Sequence, residues 1–325
     1  MKSSLLRCFA LFFPVVFSQS TFAEEALEKY LPRDETIVFI GDSITFSGGY
    51  VSRIDLQLRS RAASCEVFNV GLSSETVTGH SEPGHPFPRP NVMERIGRVL
   101  KAADPDVVVV CYGMNDGIYH PPSETRLLAY QAAITELVGK IKAYGAEVVL
   151  MTPPPFETEV ARKRGSLATS ESKSYGYRAI YPAYNDVIRE YADWILENGS
   201  DIGASIVVDT FHELETFMSS AEGQNVNLTG DGVHPLPIGH QVLAATLLKA
   251  WGETPIDMPA ELLTLSEDKM KVLRNSLLSK TGHKRPGIVD GLPWEDAWAK
   301  SRELNVRIDA ALIPQAPRVN GIQRN

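Results

Sequence analysis

The chain has 325 residues, of which 43% are hydrophobic and 22% charged, and a formal net charge of −8. That is an ordinary globular composition, long enough for one large core with additions. The acidic balance argues against a nucleic-acid binder, which would carry a basic face.

Residues 1–23 read as a secretory signal peptide. Lys2 and Arg7 supply a positive start, residues 11–17 a short apolar core, and Ala23 a small residue ahead of Glu24 and Glu25. Cleavage after Ala23 and export to the periplasm or the medium are expected. The apolar stretch is too short to cross a bilayer comfortably. No later stretch is long and apolar enough to cross one, so stable membrane insertion is not expected. Cys8 leaves with the signal. Cys65 and Cys111 then read as small buried apolar residues, with a single bridge between them left open.

Strands and helices alternate from there. Residues 36–40 form an apolar run that ends in Gly41-Asp42-Ser43, the pattern of a buried strand in a parallel sheet. Residues 50–62 predict a helix with Val51, Ile54, Leu56 and Leu58 among polar neighbours. A second strand over 66–70 leads into a loop rich in Gly, Pro and His over 72–90. A helix over 92–103 places Ile96, Val99 and Leu100 on one face and stops at Asp104-Pro105-Asp106. The very apolar third strand spans 107–112. Pro121-Pro122-Ser123 opens a long helix over 124–144, which Gly145 ends. The fourth strand, 147–152, closes on Pro153-Pro154-Pro155. Residues 157–177 are polar and predict a mobile or substrate-facing loop. A helix over 180–197, a short fifth strand over 205–208 and helices over 211–220 and 238–251 follow. From residue 257 the chain is charged, with helical patterning around 262–277 and 294–307, and a tail over 314–325 expected to be disordered.

This alternation implies right-handed crossovers and a parallel sheet covered on both faces. The fold expected is a flavodoxin-like three-layer α/β/α sandwich with five parallel strands in the order 2-1-3-4-5. Its parts are an α/β domain over 24–256 and a helical appendage over 257–325.

Four segments carry chemistry. Ser43 sits at the carboxyl end of the first strand, where open α/β sheets place their ligands. Gly71 follows the second strand and could offer a backbone N–H without a side chain in the way. Asn115, in Gly113-Met114-Asn115-Asp116, follows the third strand and could donate its amide to an oxyanion. Asp231, three residues before His234 in a Gly/Pro-bearing turn, could set the imidazole tautomer so that His234 accepts a proton from a serine. Each segment alone also reads as an ordinary turn. The strand order changes the weighing, because strand one lies between strands two and three, and the ends bearing Ser43, Gly71 and Asn115 converge.

With these blocks the chain resembles the SGNH (GDSL-type) hydrolase family over roughly residues 36–251. The resemblance implies that Ser43 is the nucleophile and that His234 is the base and then the acid. Asp231 orients His234, and Ser43, Gly71 and Asn115 form the oxyanion hole. It implies no metal or organic cofactor. One departure is visible: the second block often carries another Gly three residues after the first, and here Ser74 stands there. The serine lies in Gly-Asp-Ser-Ile, not in a Gly-x-Ser-x-Gly elbow.

His80 and His85 in the long loop, and His120 just after Asn115, are candidate substrate contacts. Neither cysteines nor a His-Glu-x-x-His spacing supports a metal site. Tyr112, Phe46 and Tyr50 could wall the site or belong to the core. The reading is a secreted serine esterase acting on a small-molecule or glycan ester, with O-deacetylation of a carbohydrate preferred. A lipid or short-chain acyl esterase is the first alternative, and a non-catalytic glycan-binding module the second.

Overall fold

The computed structural model describes residues 32, 34–61 and 63–312. The signal-peptide reading and the tail over 314–325 lie outside them.

Five strands form one parallel sheet: β1 Thr36–Gly41, β2 Glu66–Asn69, β3 Val107–Cys111, β4 Glu147–Met151 and β5 Ile206–Val208. Their order is β2-β1-β3-β4-β5, the flavodoxin-like order expected. β1 is buried from Ile37 onward, and its Phe39 pairs with Asn69 on one side and Val109 on the other. A strand buried on both faces needs a continuous apolar run, which the sequences of β1 and β3 supply.

Ten helices are seen among the described residues: α1 Ser43–Ser47, α2 Gly49–Ser60, α3 Ile96–Ala103, α4 Glu124–Tyr144, α5 Thr158–Arg164, α6 Tyr184–Asn198, α7 Thr210–Ser219, α8 Pro237–Ala250, α9 Ala260–Thr281 and α10 Trp294–Leu312. α2 packs on α8, and α4 on α6. α9 lies against α2, β2 and α3 and so covers the outer edge strand, whose unpaired backbone would otherwise invite pairing with another chain.

Three departures from the sequence reading have local causes. The stretch 157–177 is not all loop, because α5 occupies its start. Only Val160 and Ala161 of α5 are buried, so the stretch shows no apolar stripe. The helix expected from residue 180 begins at Tyr184, since Pro182 disfavours helical backbone in the residue before it. The helix expected over 92–103 is split. Val92–Glu94 is a 3-10 turn, and Arg95 leaves helical geometry and sends its guanidinium into the interior.

Buried polar pairs fasten the appendage. Lys269 of α9 donates to Asp55 of α2 at 2.6 Å, and Ser266 donates to the same carboxylate at 2.9 Å. Phe68 of β2 packs against Trp294 and Trp298 of α10, each at 5.8 Å between ring centres. Cys65 and Cys111 are buried free thiols. Among the described residues no helix is long and apolar enough to cross a membrane.

Candidate active site

β1 delivers Ser43 by ending abruptly. A Cβ on Gly41 would lie 2.2 Å from Thr45 Oγ1 and 2.7 Å from the Cys111 carbonyl oxygen, so only glycine allows the chain to turn there. Asp42 then caps α1, its carboxylate accepting the Ile44 N–H at 2.8 Å. Burial pushes the Asp42 carboxyl up to about 7, against that hydrogen bond and the nearby His234. Ser43 becomes the first residue of a one-turn helix, with its side chain partly exposed at the carboxyl edge of the sheet.

His234 Nε2 lies 2.9 Å from Ser43 Oγ, and His234 Nδ1 lies 2.7 Å from Asp231 Oδ2. The other Asp231 oxygen accepts the backbone N–H groups of Val233 and His234 at 3.0 and 2.8 Å. This local turn orients the carboxylate before it meets the ring. The loop is tied to α5, because Glu157 accepts the N–H groups of Leu228 and Thr229, and Arg164 donates to the Gly230 carbonyl. Burial works to raise the Asp231 carboxyl, but the hydrogen bonds from His234 dominate and hold it well below the usual carboxylate range. The hydrogen bond to Asp231 raises His234 above 6.5, against its own burial. With Nδ1–H given to Asp231, Nε2 is the acceptor for the Ser43 hydroxyl, the arrangement that lets an imidazole take a serine proton.

Asn115 is held at both ends of its amide. Its Nδ2 donates to the Glu75 carbonyl at 3.1 Å, and its Oδ1 accepts from the Tyr119 hydroxyl at 3.0 Å. That leaves one amide hydrogen without an acceptor among the described residues. Ile118 and Tyr119 both have positive φ, 47° and 59°, and this strained turn swings the phenol back onto Asn115. The carboxylate of Asp116 ties in the next loop, accepting from the Val77 and Thr78 N–H groups at 2.9 and 3.0 Å.

Gly71 is not where the oxyanion expectation puts it. Its N–H is taken by Asn69 Oδ1 at 2.9 Å, and it does not line the cavity. The glycine is required because a Cβ would lie 2.5 Å from the Phe46 nitrogen and 2.8 Å from the Thr45 carbonyl carbon, so β2 could not pack against α1. The residues that reach the cavity are Ser73 and Ser74, and neither N–H has an acceptor among the described residues. Ser74 has φ +67°, in the left-handed region that favours glycine. Beneath this turn the fully buried Glu75 carboxylate takes Arg95 Nε and Nη2, each at 2.6 Å, and the Tyr112 hydroxyl at 2.6 Å.

Ser43, Ser74, Asn115, Asp231 and His234 share one cavity of about 330 Å³. Of the three loop histidines only His85 lines it. His80 and His120 stand outside the lining, and His120 packs edge-on against Tyr175 at 5.7 Å. Tyr112 and Tyr50 belong to the core, while Phe46 lies under Arg274. Arg89, Tyr177 and Arg285 line the cavity without having been singled out in the sequence. Arg89 donates from Nε and Nη2 to the two Glu82 oxygens, each at 2.7 Å, and stacks on Tyr119. A larger cavity, about 610 Å³, opens behind the same loop between α3 and the end of α9, but it contains neither Ser43 nor His234.

The fold places a serine–histidine–aspartate chain at the carboxyl edge of a doubly wound sheet, the position at which such sheets do chemistry. The family model for the GDSL-like lipase/acylhydrolase family matches residues 39–242. The chain belongs to this family and is a carboxylic ester hydrolase. No curated protein matches it. Among solved structures it is similar to a variant of an acetyl-xylooligosaccharide esterase from Geobacillus, with 21% identity and a TM-score of 0.52 over 70% of this chain and 99% of that one. An acetylxylan esterase from Geobacillus stearothermophilus aligns at 22% identity and TM-score 0.51, over 70% of this chain and 99% of that one. An alpha/beta hydrolase enzyme from the metagenome of Lake Arreo, Spain, aligns at 22% and 0.51, over 69% and 97%. These likenesses concern the fold.

Proposed function

We propose that the protein is an exported serine esterase that removes acetyl groups from a carbohydrate. The observation that carries the chemistry is the unbroken chain from Ser43 Oγ through His234 to Asp231, at 2.9 and 2.7 Å, opening on the cavity. Serine is a weak nucleophile until a base takes its proton. In the proposed reaction Ser43 Oγ attacks the ester carbonyl carbon as its proton passes to His234 Nε2. The tetrahedral intermediate collapses, and the leaving alcohol oxygen takes that proton. Water then attacks the acyl-serine, giving its proton to His234. His234 returns the proton to Ser43 as the carboxylic acid leaves. Asp231 holds the tautomer and stabilises the imidazolium. The oxyanion donors proposed are the N–H groups of Ser43 and Ser74 and the free amide hydrogen of Asn115, with Gly71 in a packing role.

Two features support a carbohydrate over a lipid. The cavity wall offers many hydrogen-bonding groups, with Ser73, Ser74, Ser166, Asn115, Arg89 and Arg285 set among aromatic and apolar residues. The family's fold neighbours also include esterases named for acetylated xylan. The composition of residues 1–23 supports export.

The test is hydrolysis of p-nitrophenyl acetate, butyrate and octanoate by the purified protein and by Ser43→Ala, alongside acetate release from acetylated xylo-oligosaccharides. The expected result is a preference for acetate and a loss of about 10⁴-fold or more in the variant. A preference for octanoate would move the reading to a lipid esterase. Turnover that survives Ser43→Ala would remove Ser43 from the nucleophile's role.

A further inference from the structure

Arg285 belongs to the segment between α9 and α10, beyond the residues that match the family, yet it lines the same cavity as Ser43 and His234. The segment is anchored from both sides. Arg98 of α3 donates to the carbonyls of Thr281 and Gly282, Lys284 pairs with Glu94 at 2.8 Å, and the Gly291 N–H donates to Ser279 Oγ at 2.9 Å. Arg285 therefore reaches the site on a fixed support.

Its guanidinium lies over Phe87, 4.9 Å from the ring centre. Phe87 meets His85 edge-on at 4.5 Å, and His85 meets Tyr177 at 5.3 Å, so the cation is seated on an aromatic wall of the cavity. Stacking of this kind fixes a guanidinium without neutralising it.

Arg89 is matched by Glu82, and the Asp231 carboxylate is engaged by the His234 ring and by two backbone N–H groups. Arg285 makes no ion pair with any described residue. One of its Nη1 hydrogens goes to the Pro286 carbonyl. Nε is buried without an acceptor, and Nη2 makes no hydrogen bond among the described residues. An unpaired cation with unused donors, inside the reaction cavity of a chain with net charge −8, is a selective feature. A planar guanidinium with free N–H groups matches a carboxylate, and the pairing strengthens as water leaves the cavity.

From this geometry we infer that Arg285 reads a carboxylate on the alcohol part of the substrate. The ester cleaved is then an acetyl ester of a uronate-containing glycan in preference to one of a neutral glycan. This rests on the esterase reading above and narrows its substrate class.

The test compares O-acetylated oligogalacturonate with its methyl-esterified, neutral counterpart, reading released acetate, for the native protein, Arg285→Met and Arg285→Lys. The native protein is expected to favour the acidic substrate by about tenfold or more in kcat/KM, as a charge-assisted hydrogen bond allows. Arg285→Met should erase that preference while p-nitrophenyl acetate turnover stays within about threefold. Arg285→Lys should keep part of it, because a lysine retains the charge but not the fork. Added salt should erode the preference in the native protein only. Equal rates on the two substrates, or an equal loss on both in Arg285→Met, overturn the inference. Calorimetric binding of both oligosaccharides to Ser43→Ala reads the same contact without turnover. A preference for the acidic ligand that Arg285→Met abolishes supports the inference, and equal binding overturns it. Native protein inactive on p-nitrophenyl acetate would instead count against the esterase reading, with the binding comparison still deciding the role of Arg285.

Discussion

Two regions of this molecule hold their charged groups in opposite ways. At the carboxyl edge of the sheet, Asp231 and His234 are about half exposed, sit on a loop, and meet through a hydrogen bond that lowers one pKa and raises the other. Where α9 rests on α2, Asp55 and Lys269 are almost wholly buried and meet at 2.6 Å. The first pair is open to water and within hydrogen-bond reach of Ser43, so a proton can pass between it and that neighbour. The second can only hold, since ionised partners taken out of water tolerate no loss of either one. A titratable pair thus works at the surface and fastens in the interior, and variants in the two places should fail differently.

The largest effect is expected at the exposed pair. Asp231→Asn keeps the shape of the side chain but removes the charge that sets the histidine tautomer, and kcat should fall by about 10⁴-fold with folding little changed. The pH profile sharpens this. His234 must be neutral to accept the Ser43 proton, so kcat/KM of the native protein should rise with pH through a midpoint above 6.5. Asp231→Asn removes the main cause of that elevation. Burial, which lowers the histidine, then acts against only a minor contribution from Asp42, so the midpoint of the residual activity should move down. A midpoint that stays above 6.5 in the variant would mean that Asp231 is not what holds the proton on His234.

The interior pair should fail through stability. Lys269→Met leaves the Asp55 carboxylate buried beside Arg59 at 3.5 Å and Ser266 at 2.9 Å. Removing one partner of a buried pair costs about 3–5 kcal/mol, read as a drop in the urea midpoint. Asp55→Leu combined with Lys269→Met should recover most of it, because the remaining cation, Arg59, keeps its pair with Asp309 at 3.3 Å. A single variant as stable as the native protein would show that water reaches this contact and that the appendage is held by its apolar surface, the tryptophan clasp on Phe68 included.

The same contrast accounts for what the sequence discloses. The parallel, doubly covered sheet follows from alternation, its order from the flavodoxin-like pattern, and Ser43, Asn115, Asp231 and His234 stand in short blocks whose spacing carries their geometry. Gly71 misleads because a glycine required for close backbone packing and a glycine offering its N–H look alike in a sequence. The packing appears only when β2 meets α1. Arg285 is invisible for a different reason: its place in the cavity depends on α9 crossing the edge strand, and no local pattern records a contact between residues 87 and 285. His80, His85 and His120 share one loop-rich character, and only the fold decides which of them reaches the wall. Arg95 reads as one more residue of an amphipathic helix until its partner Glu75 is seen beneath the Ser73–Ser74 turn.

That turn supplies the smallest expected effect and the finest discrimination. Ser74 holds φ +67°, a conformation that costs a non-glycine residue about 1–2 kcal/mol. Ser74→Gly relieves this strain but adds freedom to the unfolded chain, worth about 0.4–1 kcal/mol, so stability should stay level or rise by up to about 1.5 kcal/mol. If the backbone N–H is what Ser74 contributes, Ser74→Gly should keep p-nitrophenyl acetate turnover within about threefold. Ser74→Val should lose both stability and rate, because a β-branched side chain resists this backbone. A fall of more than about tenfold in Ser74→Gly alone, with the fold intact by circular dichroism, would assign the work to the hydroxyl. The serine would then be a substrate contact, and the departure from the family's glycine would be a change in specificity as well as a tolerated strain.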